Sequence, residues 1–154
     1  MEPVPALVTL HVWRVSPGRV PVAVARTALD RGPARRTAGV RFCKLLGTGR
    51  GFLPHQADPT RWAKLTVWSR PGPDPVADRW ARVAEESWRV DLVPLSSRGR
   101  WSRRAPFGAP TPSRYDGPVA VLTRARLAPS RAVAFWRAVP PVGAALGTAD
   151  GLRA

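Results

Sequence analysis

Six segments in the order strand, helix, strand, strand, helix, strand fill the first 95 residues, and this order limits the fold more than any other feature of the sequence. Ala6 to Val15 alternates Val8, Leu10 and Val12 with Thr9, His11 and Trp13, the period-two pattern of a strand with two unlike faces. Ser16-Pro17-Gly18 breaks it. Pro21 then stands where a first helical turn tolerates proline, ahead of Val22, Ala25 and Leu29 at helical spacing, and Gly32-Pro33 is expected to stop the helix. Val40 to Leu46 is a second strand that ends in a Gly-rich hairpin turn, Gly47 to Gly51. Arg61 to Trp68 is a third, with Ala63, Leu65 and Val67 opposite Trp62, Lys64, Thr66 and Trp68. Beyond Pro71-Gly72-Pro73, Asp74 is placed to cap a helix from Pro75 whose Val76, Trp80, Val83 and Ala84 form one stripe. Trp88 to Leu95 is the fourth strand. This is the order of an α+β, ferredoxin-like (βαββαβ) domain over residues 1–95, with both helices on one face of an antiparallel sheet. The aliphatic faces of the first and third strands are expected to meet the helices. The aromatic and polar faces are expected to enclose a ligand or meet a partner.

Residues 96–117 have little periodicity and many Pro, Gly and Arg, the composition of a linker. The opening pattern then returns. Val119 to Leu127 reads as a strand, and Pro129 opens a helix carrying Val133 and Trp136, broken at Pro140-Pro141 and continuing to Leu146. Residues 118–154 thus read as a partial second ferredoxin-like unit, strand and helix only. An isolated strand and helix cannot bury both their faces alone.

Composition excludes several function classes. No apolar stretch approaches the length that crosses a bilayer, and the start lacks a basic segment followed by an apolar core and cleavage site, so a cytoplasmic protein is expected. The single cysteine, Cys43, cannot form an internal disulfide, and with only His11 and His55 beside it no cysteine-rich zinc motif is possible. A net charge of +15 brings nucleic acid to mind. However, only Lys44 and Lys64 are lysines, the arginines run from Arg14 to Arg153 without a single stripe, and Ala, Val, Pro and Gly abound, a pattern that GC-rich coding produces. Nucleic acid is set aside as a partner. Gly47 to Gly51 lacks both a following helix and the lysine and hydroxyl pair of a phosphate loop.

Three stretches carry a more specific signal: RTAGVRFCKLLGTGRGFLP from Arg36 to Pro54, AEESWRVDLVPLSSRGRWSRRAPF from Ala84 to Phe107, and PVAVLTRARL with AVAFWRAVP further on. In this order and spacing they closely resemble the spheroidene monooxygenase family of carotenoid-modifying enzymes. The resemblance implies a dimeric α/β-barrel fold of two facing ferredoxin-like units. It also implies haem as cofactor, O2-dependent oxidation of acyclic carotenoids to keto-carotenoids, and electrons from a ferredoxin-like donor. Against that family the stretch between Trp68 and Glu86 is short, which implies a reduced second helix, and the chain reads as C-terminally truncated. A homodimer through the open sheet face and a peripheral membrane contact are further expectations.

If haem is bound, its axial donor must come from His11, His55, Cys43 or Tyr115. His11, on a face with Thr9 and Trp13, is the candidate metal ligand; the alternative is a strand histidine satisfied by a neighbour. His55 reads as a loop residue, Cys43 as a small buried hydrophobe and Tyr115 as part of the linker. Lys44 and Lys64 are lysines retained in an arginine-rich chain. Either a propionate partner or plain protection of a strand edge explains them. Trp13, Trp62 and Trp68 offer large faces for a polyene or porphyrin, or simply pack. Arg98, Arg100 and Trp101 form a turn that suits a propionate, an acidic donor protein or lipid phosphates, or that clasps two units together. A non-catalytic, self-associating ferredoxin-like module is the competing reading for the whole chain.

Overall fold

The computed structural model describes residues 3–49, 54–111, 114–122 and 129–147. Four strands form one sheet: β1 (Leu7–Arg14), β2 (Val40–Gly49), β3 (Ala57–Trp68) and β4 (Glu86–Leu92). Their order across it is β2-β3-β1-β4. β1 runs antiparallel to both neighbours, pairing His11 with Lys64 of β3 and with Arg89 of β4. Helices α1 (Val20–Leu29), α2 (Arg31–Arg36) and α3 (Pro75–Ala81) connect the strands in the ferredoxin-like order expected from the sequence.

Gly32-Pro33 does not stop the chain's helical course. Asp30 ends α1, and its carbonyl at once accepts from Ala34 N at 2.9 Å, opening α2. Pro33 sits in that first turn, where its missing N–H has no acceptor to lose. α3 starts as anticipated, with Asp74 Oδ1 accepting from Ala77 N at 3.1 Å as the N-cap and Val76, Ala77 and Trp80 buried, but it ends at Ala81, so Val83 and Ala84 of the expected stripe lie beyond it. With seven residues α3 is short.

The faces of the sheet are reversed from expectation. Trp13 and Cys43 of the sheet pack with Ala23, Ala34, Val76, Ala77 and Trp80 of the helices in one core cluster. Since side chains alternate along a strand, Thr9, His11, Lys64 and Thr66 share this helix-covered face. The aliphatic set, Val8, Leu65 and Val67 with Phe42, lies on the other face and is capped by Trp101 and Phe107. The reason is volume: the helices offer mostly alanine and valine to the sheet, so the large tryptophans fill the gap between the layers.

The chain divides into two compact units, Met1–Thr48 with Pro59–Arg114, and Gly49–Asp58 with Tyr115–Ala154. The first holds the sheet core and, unlike a free linker, part of the 96–117 stretch. There Trp101 and Arg104 bridge each other across Ser102 and Arg103, both at positive φ (54° and 66°). The second holds α4 (Ala132–Gly147), which continues through Pro140-Pro141. Residues 119–122 carry no strand, and the rest of the strand expected there, like Arg50 and Gly51 of the hairpin turn, lies outside the described residues.

Candidate functional site

The expected site residues divide between the two faces. On the helix-covered face a run of stacked rings begins at His11, whose ring lies 5.6 Å from that of Trp13 at 9°. Trp13, fully buried, stacks in turn on Trp80 at 5.2 Å, and Trp62 meets Trp80 at 5.9 Å. Asp30, which the sequence did not single out, anchors the far end: it accepts from Trp80 Nε1 at 3.0 Å and from Arg79 Nη2 at 2.8 Å. Trp68 is tied separately, its Nε1 donating to Thr9 Oγ1 at 3.0 Å.

Beside the rings is a buried polar group of unusual make-up for a sheet–helix interface. Lys64 has no exposed surface, and its Nζ donates to Asp74 Oδ2. The other oxygen of that carboxylate is the α3 cap, so one aspartate fixes both the helix start and the lysine. His11 sits across the β1–β3 ladder from Lys64. Burial pushes its pKa below 6.5; Asp74 opposes that shift, while the cations Lys64 and Arg89 reinforce it. Its Nδ1, like Nε1 of Trp13, is buried without a hydrogen-bond partner. Burial likewise raises the Cys43 thiol, partly offset by Lys64 and by the Thr66 hydroxyl 3.8 Å from Sγ. That thiol is a poor nucleophile.

The remaining candidates lie elsewhere. Lys44 Nζ stands 5.5 Å from the centroid of the Phe42 ring and donates to Ser102 Oγ at 2.9 Å, while Trp101 tilts against Phe42 at 5.3 Å. Arg98 and Arg100 are exposed in the turn before it. A cavity of about 360 Å3 opens beside β2, lined by cationic Arg35, Arg41, Lys44 and Arg104 together with Ser102 and Cys43. No motif marked these walls: the alternation of β2 places Arg41 with Cys43, whereas Arg35 comes from α2 and no strand pattern bears on it.

Haem is poorly matched to these residues. His11 has a buried Nδ1 without a hydrogen-bond partner, but it lines neither this cavity nor the 200 Å3 one next to it. Cys43 lines both cavities as a protonated thiol, and His55 and Tyr115 are exposed. Donor and space are therefore apart among the described residues, and no reaction step is assigned through haem.

No family profile matches the chain. Spheroidene monooxygenase from Rhodobacter capsulatus is 34% identical over 142 residues, spanning 83% of this chain. The chain is a relative of the spheroidene monooxygenases. The protein of that name from Cereibacter sphaeroides is 33% identical over 116 residues, 70% of the chain. The chain spans 57% and 36% of the lengths of these two spheroidene monooxygenases. The solved heme-degrader MhuD from Mycobacterium tuberculosis, with two hemes in its active site, aligns to 60% of the chain and 99% of its own length, at TM-score 0.42 and 18% identity.

Proposed function

We propose that this chain is an O2-dependent monooxygenase that oxidises acyclic carotenoids to keto-carotenoids. The observation that carries the reading is the 34% identity to a spheroidene monooxygenase over 142 residues. Making a ketone from a methylene group takes two monooxygenation steps, each placing one oxygen atom in the substrate and reducing the other to water with two electrons and two protons, the electrons coming from a ferredoxin-like donor; the geminal diol after the second step loses water to leave the ketone. The reading includes haem as cofactor by likeness to the spheroidene monooxygenases, with no ligand assigned to it among the described residues, and a cytoplasmic protein that meets the membrane peripherally to reach its apolar substrate. No described helix is long and apolar enough to cross a membrane.

The test is to express this chain in cells that accumulate an acyclic carotenoid, supply 18O2, and examine pigments by mass spectrometry. A keto-carotenoid carrying the label is expected. An unchanged pigment, in cells where a curated relative does convert it, would overturn the assignment for this chain.

One observation favours a second reading, a self-associating module. On the aliphatic face Leu10, Val12, Val90 and Leu92 are only half-buried and Trp88 is 55% exposed. A second copy packing there would bury them. Turnover distinguishes the two readings and light scattering tests the face: a dimer that dissociates in Trp88→Lys, together with no carotenoid turnover by the parent, supports the module.

A further inference from the structure

β4 lies at one side of the sheet, and among the described residues it pairs with β1 alone. Its far edge is open to solvent, with Glu86, Ser87, Trp88, Arg89 and Asp91 all exposed. An open strand edge presents unpaired backbone donors and acceptors, so it is a template for another strand. The side chains along it divide by face. Trp88, Val90 and Leu92 stand opposite Val12, Leu10 and Val8 on the aliphatic side, whereas Arg89 and Asp91 stand opposite His11 and Thr9 on the helix side. Arg89 holds Asp91 through Nε at 2.8 Å and Nη2 at 3.1 Å, yet the two side chains keep 53% and 50% of their surface exposed. Each has room for a second partner.

The order of these side chains is self-complementary. If two copies of β4 pair antiparallel about a two-fold axis at Val90, Arg89 of each copy stands opposite Asp91 of the other, and Trp88 stands opposite Leu92. Opposed residues in such a ladder share a face, so the aliphatic surface of one sheet continues into that of the other. Opposite charges facing each other across a ladder stabilise it and like charges destabilise it. The neighbouring registers do worse on this count. An axis at Arg89 sets two guanidinium groups face to face, and an axis at Asp91 sets two carboxylates so. An axis at Trp88 places Glu86 against Val90 and leaves Asp91 beyond the partner strand. In the register centred on Val90, Pro94 falls opposite Glu86 and, lacking an N–H, gives the ladder a defined end.

We infer that the open edge of β4 pairs with β4 of a second copy of this chain, antiparallel and centred on Val90, joining two four-stranded sheets into one. The contact uses the edge of the sheet and not its aliphatic face, and it rests on neither the carotenoid reaction nor the face-packed module.

The experiment is sedimentation equilibrium of the full chain over a range of concentrations at low, constant salt, with circular dichroism to check the folding of each variant. Arg89→Asp sets two carboxylates opposite each other on both sides of the axis, and the dimer should weaken by about tenfold or more. Adding Asp91→Arg opposes the charges again with their signs exchanged, and most of the association should return. A dimer packed through the aliphatic face would ignore both changes, since these residues lie on the other side, and would respond to Trp88→Lys instead. A second readout locates the axis. Residue 90 meets its own copy with Cα atoms about 4.5–5.5 Å apart, within reach of a disulfide, so Val90→Cys should oxidise to a linked dimer. Ser87→Cys should not, because residue 87 faces residue 93, and the parent, whose Cys43 is 4% exposed, is the blank. A monomer at every concentration, a dimer indifferent to Arg89→Asp, one that the charge exchange does not restore, or equal cross-linking at 87 and 90 would overturn the inference.

Discussion

Lys64 and Asp74 form an ion pair inside the protein, the lysine with no exposed surface and the aspartate side chain with 9%. A buried charge whose partner is removed keeps its desolvation cost and loses its compensation. Asp74 also caps α3, so its two oxygens hold two elements at once.

Replacing Lys64 by Met therefore leaves a buried carboxylate unpaired, and a loss of about 3–5 kcal/mol is expected in urea unfolding. The double variant Lys64→Met with Asp74→Ser removes the stranded charge and keeps a capping side chain, and it recovers much of that loss. A single variant within about 0.5 kcal/mol of the parent, the range of ordinary surface changes, would show that the pair is solvated.

His11 gives the stability a pH dependence of defined sign. Its folded pKa is lowered, first by burial, from the 6.5 of an unperturbed histidine. The unfolded chain therefore binds a proton before the folded one does, and stability that is present above pH 6.5 falls as pH drops below it toward the folded pKa. Unfolding free energies between neutral pH and the onset of carboxylate titration should decline in the parent and decline less in His11→Gln. Equal slopes in the two proteins would mean that His11 is free to protonate in place.

Cys43 is expected to resist thiol reagents in the folded protein. It is 4% exposed and its pKa is raised by burial. Reaction with a disulfide reagent at mildly alkaline pH should proceed only through unfolding, so its rate rises steeply with urea. A rapid native-state reaction would place the thiol at the surface of the cavity it lines.

The order of elements was legible because each break carries its own chemistry: Pro17-Gly18 after β1, and Asp74 with Pro75 at the start of α3. Alternation also showed which side chains share a face, Thr9 with His11 and Trp13, or Leu65 with Val67. It did not show which face the helices cover. That depends on complementary volume between layers, alanines of α1, α2 and α3 against tryptophans of the sheet, and no single strand contains that information. The Asp30 bond to Trp80 and the wall made by Arg35 and Arg104 were hidden for a similar reason, since each joins residues 50 or more positions apart or brings separate segments to one cavity.

Gly39, just ahead of β2, makes the last case. Its φ is +79°, and a Cβ built there would lie 2.0 Å from the carbonyl oxygen of Arg70. Its own carbonyl accepts from Ser69 N at 2.9 Å, so the close approach fastens the start of β2 to the end of β3. Alanine must adopt a left-handed backbone and also push the Arg70 peptide away, so Gly39→Ala should cost about 3 kcal/mol or more. Gly18→Ala is the matched control: nothing lies within 4 Å of its added methyl group, and a change within about 1 kcal/mol of the parent is expected. Thermal or urea unfolding of the two variants side by side separates a generic glycine effect from this contact. If Gly39→Ala proves as mild as Gly18→Ala, then β2 can slide relative to β3, and the edge that carries Arg41, Cys43 and Lys44 is not fixed by this junction.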